Sequence, residues 1–443
     1  MGSFKGCVER FMLKATNANS RWARWLFYLF FILFSLLPLS FAFFVPIVFL
    51  VYGVCLAFFL VALIKGWRWK QAVAWPSALL YTAIYISFGL YSLLLSNAEP
   101  ELIFKDSVGF IFYPVYFPLV ALMVVGRINR FDWERFLTIL GVLVAIFHVA
   151  AYFAFYQLFG ELTNVTIIGV NDILQSAGTA STYGASGGVL RVDSKLGILM
   201  VIPILIIIRN MVQNKAKLHD VIAIMILFVG VILEGHRAII VALMFSSILY
   251  AIWIILRTKG YAKRLNSLVR MTLLLCVCLI AAAALYGDDL SLVLERYAEV
   301  GSSAGVDEGR ASQFPALIDK ILESPILGSG FGSHASVLRS IERPFMYELD
   351  YLAVFMKLGI LGGVSYFAAY GYLMFLSARK SHAGTSKMVY FFSGLTFFLF
   401  AATNGGMAMS PSSALSHLYL MIGLSVEYFQ VNRFTTSENS KYN

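Results

Sequence analysis

Long apolar segments recur along most of the chain and are separated by short polar segments. Each approaches twenty residues, the length that an α-helix needs to cross about 30 Å of hydrocarbon. The pattern predicts an all-α polytopic membrane protein with about twelve transmembrane helices, in a single integral membrane domain over residues 1–443. The predicted spans are 25–42, 44–64, 73–95, 108–125, 136–158, 196–208, 219–233, 238–256, 271–286, 349–376, 388–403 and 413–431.

The sixth span is too short to cross a bilayer, so we expect its helix to begin earlier, near Leu190. Such a helix would carry Arg191 and Lys195 to the membrane edge, and their spacing of four residues would place both on one face. This pair of bases is a candidate anion site. Ordinary interfacial anchoring, with Asp193 between the two bases, is the alternative.

The distribution of basic residues predicts the orientation. Of the 34 Lys and Arg residues, 24 fall in segments that the alternating spans place on one side, and the positive-inside rule assigns that side to the cytoplasm. Both termini are therefore predicted to be cytoplasmic. We expect the first span to be retained, since no cleavage site follows it. The basic segments are 1–24, 65–71, 126–135, 209–218, 257–270, 377–387 and 432–443.

The opposite side carries a loop of about sixty residues at 287–347, between spans nine and ten, and a Gly, Ser and Thr-rich stretch at 160–188. Within the loop a helical repeat predicts an amphipathic helix on the membrane surface, ending at Pro325. A glycine-rich turn follows at 328–332, whose backbone N–H groups are expected to approach a ligand closely. The repeating apolar residues are Phe314, Leu317, Ile318, Ile321 and Leu322.

The amino-acid composition limits the classes of protein to which this chain can belong. With 60% hydrophobic and only 13% charged residues, the chain cannot be a water-soluble enzyme, which must cover most of its surface with charge. The net charge of +10 is explained by the cytoplasmic loops, so nucleic acid is not an expected partner. The four cysteines show no metal-ligand spacing, and we expect neither a metal nor another cofactor.

Charged residues at the outer ends of spans are candidates for chemistry, because a charge near hydrocarbon carries a desolvation cost. Arg237, with His236 beside it, joins two apolar helices through almost no loop, which predicts an anion site. Pairing with Glu234 or extension to the lipid headgroups are the alternatives. Arg310 precedes the amphipathic helix and is a further candidate, with ordinary pairing to the acids beside it as the alternative.

Acid–base groups gather where the long loop re-enters the membrane. Glu348 and Asp350 stand at this point, and His334 follows the glycine turn. A partly desolvated carboxylate can have a raised pKa and accept a proton from a hydroxyl, so these three are the candidate catalytic residues. An acid that complements a helix dipole is the alternative, above all for Asp350.

Four runs of sequence resemble the C-terminal region of the Wzy O-antigen polymerase and WaaL ligase superfamily. They are Gly-Arg-Ala-Ser at 309–312, Glu-Ser-Pro-Ile-Leu-Gly-Ser-Gly-Phe-Gly at 323–332, Glu-Leu-Asp-Tyr-Leu at 348–352 and Lys-Leu-Gly-Ile-Leu-Gly at 357–362. The resemblance implies a GT-C-like fold in the bacterial inner membrane. It also implies glycosyl transfer at the periplasmic face between undecaprenyl-pyrophosphate-linked donor and acceptor glycans, with a chain-length regulator as a further partner.

Ligases of this superfamily usually carry a His-Asn pair before the pattern x-x-Leu and a Glu two residues before a later Gly. With Leu352 and Gly359 at the matching places, Glu348 stands at the His position, Leu349 at the Asn position and Lys357 at the Glu position. This departure favours an O-antigen polymerase. A ligase that transfers glycan to lipid A core is the alternative of the same class.

The resemblance also implies that arginines near the outer face hold the pyrophosphate, without a metal. Arg191, Arg237 and Arg310 are in suitable places, with Lys195 and His236 as further contacts. A flippase or other transporter of lipid-linked oligosaccharide is the alternative of a different class. A transporter is expected to show repeated halves and charges near mid-membrane, whereas the charges here cluster at one face.

Overall fold

The computed structural model describes residues 21–33, 53, 72–96, 98–159, 181–184, 190–193, 197–213, 215–234, 237–257, 308–338, 344–379, 386–403 and 409–439. Within these ranges five helices are long and apolar enough to cross a membrane: Trp75–Leu95, Pro100–Val125, Arg130–Ala151, Ala238–Arg257 and Asp350–Ala378. A largely helical chain with several candidate membrane spans is thereby confirmed. The total of twelve spans and the GT-C-like fold remain predictions. The predicted span 271–286, and 44–64 apart from residue 53, lie outside the described residues.

The elements are numbered here in chain order. Helix α1 covers residues 21–33, and it is followed by α2 (Trp75–Leu95), α3 (Pro100–Ser107), a 3-10 helix (Val108–Phe112), α4 (Tyr116–Val125), α5 (Arg130–Phe159), strands β1 (Ser181–Gly184) and β2 (Leu190–Asp193), α6 (Ile198–Val212), α7 (Leu218–Glu234), α8 (Arg237–Arg257), α9 (Glu308–Glu323), α10 (Asp350–Ala378), α11 (Ser386–Thr403) and α12 (Pro411–Asn439).

Helix α6 is the centre of one group of helices. Its residues from Ile198 to Val212 are apolar on all sides and almost all buried, as expected for a helix enclosed by others. It packs against α5, α7, α8, α11 and α12. A second group forms around α2 and α10, where the Ser77 hydroxyl donates to the Ala369 carbonyl oxygen at 2.7 Å.

A network of buried charges joins helix ends on the side predicted to face the cytoplasm. At the end of α6, the Arg209 guanidinium donates to both carboxylate oxygens of Glu134, at 2.6 and 2.8 Å. Arg130 Nε lies 3.3 Å from Glu134 and 3.6 Å from Glu427 on α12. Bidentate arginine–carboxylate pairs are strong and geometrically specific, so this network fixes α5, α6 and α12 relative to one another.

The predicted span 108–125 lies within the candidate membrane span Pro100–Val125, which is irregular near its middle. The chain passes from α3 through the 3-10 helix and a turn at Pro114 before α4 begins. A Cβ atom on Gly109 would lie 2.1 Å from the Met409 carbonyl oxygen, so the backbone of this segment is pressed against the residues before α12. The predicted span is therefore present but irregular near its middle, where this contact and the proline interrupt the helical hydrogen bonding.

The predicted sixth span begins later than expected. Strands β1 and β2 pair antiparallel with Tyr183 opposite Arg191, and α6 begins only at Ile198. The expectation that Arg191 shares a helix with Lys195 is therefore wrong. Residues 190–193 alternate apolar and charged side chains, which fits the two-residue period of a strand. Among the described residues this short hairpin is the one departure from an all-α fold, and Lys195 lies outside them.

Candidate functional site

The glycine-rich segment 328–332, called the glycine loop below, is a tight turn docked into the helices. Gly328, Gly330 and Gly332 have φ angles of 73°, 84° and 77°, a region that side chains with a Cβ rarely adopt. The loop follows α9, which ends before Pro325 as predicted. Only glycine at these positions allows the backbone to follow this path.

Helix α10 is kinked at the point where it contacts the glycine loop. Gly359 inside this helix has φ 60° and ψ −169°, so the helical hydrogen bonds on either side are interrupted. The carbonyl oxygens of Met356 and Lys357 accept the N–H groups of Ser329 and Gly330, at 2.8 and 2.9 Å. The loop thus completes the hydrogen bonding that the kink leaves open.

The other end of the glycine loop is held by α2 and α3. The Phe331 N–H donates to Ser92 Oγ at 2.7 Å, and the Gly332 N–H donates to Asp106 Oδ2 at 2.8 Å. The expectation that the N–H groups of the loop approach a ligand is wrong, because the protein itself accepts them. The glycine loop therefore forms a packing contact between α2, α3 and α10, which is called the joint below.

A buried ion pair lies beside this joint. Lys357 Nζ donates to Asp106 Oδ1 at 2.6 Å, and each side chain is only 4% exposed. The ammonium also lies 5.4 Å from the centre of the Phe345 ring, within the range of a cation–π contact. Sequence reasoning noted Lys357 only as a departure from the ligase pattern and missed Asp106, which is 251 residues away in the chain.

The structure brings two candidate catalytic residues close to one another in the fold. The N–H of Ala335, next to the exposed His334, donates to the Tyr347 hydroxyl at 2.6 Å. Glu348 follows Tyr347 directly and is half-buried. Burial, together with the nearby Asp106 carboxylate, raises the pKa of the Tyr347 phenol, so the hydroxyl stays neutral and can accept the amide hydrogen.

Helix α9 packs across the start of α10 and carries Arg310. Gln313, three residues later and buried, accepts the Glu348 N–H on its Oε1 at 3.0 Å. Because residues three apart lie on the same side of a helix, the Arg310 position is on the side of α9 that approaches Glu348. The elements that carry Arg310, Glu348 and His334 therefore meet at the start of α10.

The amphipathic character of α9 is confirmed, but its apolar face is divided. Leu317 is fully buried in a cluster with Tyr347 and Met356, whereas Phe314 and Leu322 are 54% and 67% exposed. The helix packs on the protein instead of resting its whole apolar face on the membrane surface. The local repeat could not distinguish these two environments.

Asp350 is buried and is the first residue of α10. An acid at this position complements the partial positive charge of the helix start, as the dipole alternative expected. Its catalytic role remains a prediction.

The residue positions of two further candidate cations lie at other helix ends, on the side predicted to face the periplasm. Strand β2, with Arg191, packs against α5 and α7, and Arg237 begins α8 just after α7 ends. Glu234 at the end of α7 accepts the Gly197 N–H at 3.0 Å, which fastens the start of α6 to the end of α7. His236 lies outside the described residues. Among the residues that the structure describes, no group of three His, Cys, Asp or Glu side chains could hold a metal ion.

Comparison with known families agrees with the resemblance in the sequence. The family model of the O-antigen ligases matches residues 222–367, about a third of the chain. The matched part of the chain is therefore similar to the O-antigen ligase family. The matched range contains Arg237, Arg310, the glycine loop and Glu348, whereas Arg191 and Asp106 lie outside it. No curated protein matches the chain.

The buried pair gives the departure from the ligase pattern a physical meaning. Where the ligases carry a Glu, Lys357 points its ammonium at Asp106 inside the protein. An ion-paired ammonium has no lone pair with which to accept a proton. Glu348 stands at the position of the ligase His, and it lies closer to solvent than the buried Lys357.

Proposed function

We propose that this protein is an O-antigen polymerase of the bacterial inner membrane. It transfers a growing glycan from undecaprenyl pyrophosphate onto a lipid-linked repeat unit at the periplasmic face. The observation that carries the proposal is the meeting of His334, Glu348 and the helix that bears Arg310 at the outer end of α10. A protein that regulates chain length is the expected partner besides the membrane lipid.

The chemistry requires one nucleophile, one base and stabilisation of the leaving group. The acceptor hydroxyl oxygen attacks the anomeric carbon of the donor glycan, and the bond from that carbon to the pyrophosphate oxygen breaks. Glu348, or alternatively His334, accepts the hydroxyl proton. Undecaprenyl pyrophosphate leaves with the electron pair of the broken bond. Alignment of the two substrates supplies a large part of the rate enhancement.

Arginines suit the stabilisation of this leaving group. A guanidinium stays charged and binds phosphate through two parallel hydrogen bonds, and in a partly desolvated site it stabilises the charge that develops on the leaving oxygen. We assign this role to Arg191, Arg237 and Arg310, with Lys195 and His236 as further contacts. The support for this assignment is the position of these three arginines in the sequence, at the ends of segments that are predicted to face the periplasm.

The polymerase is favoured over the ligase because Glu348 and Lys357 replace the His and Glu of the ligase pattern. In the ligase alternative, finished glycan would be transferred to lipid A core. In the transporter alternative, lipid-linked oligosaccharide would cross the bilayer without any new glycosidic bond.

Purified protein in lipid nanodiscs, supplied with a synthetic lipid-pyrophosphate repeat unit, tests the proposal. A ladder of lengthened glycans is expected, and excess EDTA should leave it unchanged. Transfer seen only when lipid A core is added would establish the ligase. Movement of a fluorescent repeat unit across liposomes without a ladder would establish the transporter.

A further inference from the structure

We propose that Asp106 and Lys357 are positioning residues for the transfer reaction. Their buried pair fixes the glycine loop, and through it the backbone on which His334 approaches Glu348. The inference rests on the proposed function for its reaction, but the geometry on which it is built is independent of that function.

Lys357 holds the glycine loop in two ways. Its carbonyl oxygen accepts the Gly330 N–H at 2.9 Å, and its ammonium binds Asp106 at 2.6 Å. The second carboxylate oxygen of Asp106 accepts the Gly332 N–H at 2.8 Å. The pair therefore spans from α10 to α3 and holds Gly332, while the backbone carbonyl of Lys357 holds Gly330.

The fastened segment leads directly to the candidate acid–base groups. Gly332 stands two residues before His334, and Ala335 on the other side of His334 donates its N–H to the Tyr347 hydroxyl. His334 is thus fixed on both sides, by Asp106 and by the residue that precedes Glu348. A shift of the loop would change the separation between these two candidate groups.

Stability alone does not account for a charged pair at this place. A buried pair must recover the cost of removing two ions from water, and apolar residues of similar volume are often equally stable there. The carboxylate provides a hydrogen-bond acceptor for the Gly332 N–H, which an apolar residue cannot provide. The pair therefore serves to define the position of the loop.

Two double variants distinguish the effect of this hydrogen-bond acceptor from the effect of the two charges. Asp106→Asn with Lys357→Met removes both charges but keeps an oxygen for the Gly332 N–H, whereas Asp106→Leu with Lys357→Met removes the oxygen as well. Single variants are avoided, because each would leave a buried charge without its partner. For each protein in nanodiscs we would measure the melting temperature, kcat and KM, and amide hydrogen exchange over residues 328–338.

The melting temperature first establishes that the Asp106→Leu, Lys357→Met protein is folded. This protein should then lose about 10²-fold in kcat, because small misplacements of reacting groups have effects of that size. Its KM should change little, and exchange over 328–338 should become faster. The Asp106→Asn, Lys357→Met protein should keep kcat near the wild-type value. A purely structural role would change the melting temperature of both variants without separating their kcat values.

A folded Asp106→Leu, Lys357→Met protein with wild-type kcat would overturn the proposal. If this variant does not fold, Gly332→Ala takes its place in the same test. At φ 77° an alanine is strained, and its Cβ would lie 2.8 Å from the Ile103 nitrogen, so the loop must shift while the ion pair remains. Should the wild-type protein form no ladder, the proposed function fails separately. The exchange comparison still decides whether the pair holds the loop, and unchanged exchange would refute it.

Discussion

At the scale of single residues, the tertiary structure brings chemistry together by hydrogen bonds to the backbone. Gln313 accepts the N–H of Glu348, and Tyr347 accepts the N–H of the residue after His334. Neither Gln313 nor Tyr347 carries charge at neutral pH, and neither stood out in the sequence. They fix the backbone next to the candidate groups and leave those groups to act on substrate.

The variant Glu348→Gln tests the base. It keeps size and hydrogen bonding but removes most basicity, so turnover should fall by about 10² to 10⁴. Glu323→Gln is the matched control, since that acid lies on the exposed end of α9 and should leave turnover unchanged. Glycan ladders followed over time give both rates. Normal polymerisation by Glu348→Gln would exclude the base role and direct the same assay to His334→Ala.

The variants Arg237→Ala and Arg237→Lys test the anion site. A lost charge-assisted contact is worth about 1.5 to 3 kcal/mol, so turnover should fall more than about tenfold, and lysine should not restore it because it lacks the bidentate fork. Arg257→Ala, an exposed arginine at the opposite end of the same helix α8, serves as control. Full activity of Arg237→Ala, Arg191→Ala and Arg310→Ala would remove this site.

At the scale of elements, the joint between the glycine loop and α10 is the feature that organises the candidate site. A break in a membrane helix leaves backbone groups without partners, and these must be satisfied inside the protein. Here the backbone groups left open by the kink at Gly359 form hydrogen bonds with the backbone of the glycine loop. The element that appeared in the sequence as a ligand-binding turn is instead part of the helix packing.

The variant Gly359→Ala should destabilise the joint. Its Cβ would lie 2.3 Å from the Ile326 carbonyl oxygen, and φ is 60°, so we expect a loss of about 1 to 3 kcal/mol from backbone strain. Gly371→Ala is the control in the same helix, where an added Cβ would meet nothing within 4 Å, and it should be neutral. Thermal unfolding in detergent compares the two, and equal melting temperatures would contradict the strain.

At the scale of the whole molecule, charges divide between two faces. The Arg209, Glu134 and Arg130 network lies at the helix ends predicted to be cytoplasmic. The hairpin, the glycine loop and α9 lie beside the opposite helix ends. This division agrees with the orientation that the basic segments predict, while the assignment of the two sides remains a prediction.

Cysteine labelling tests the orientation. A cysteine introduced at Ser302 in the long loop should react with an impermeant maleimide added from the periplasm, and one at Lys217 should react only after the cytoplasmic side is opened. The positive-inside rule gives this expectation. Labelling of Ser302→Cys from the cytoplasm alone would invert the topology.

The sequence by itself determined the features that depend on local pattern. The apolar length and period gave the helices α2, α5, α7, α8 and α10 to within several residues, and the run of glycines gave a tight turn after α9. These features arise from contacts between near neighbours in the chain and from the solvent each segment must face, so a window of residues contains the information.

Only the tertiary structure decided what each segment packs against. Met409 interrupts the span at Gly109, Met356 and Lys357 take the N–H groups of the glycine loop, and Asp106 neutralises Lys357 from 251 residues away. Such partners are chosen by the packing of the whole chain, because a buried polar group must find an acceptor wherever the fold supplies one. The local hydrophobic pattern does not indicate which residue will be the partner.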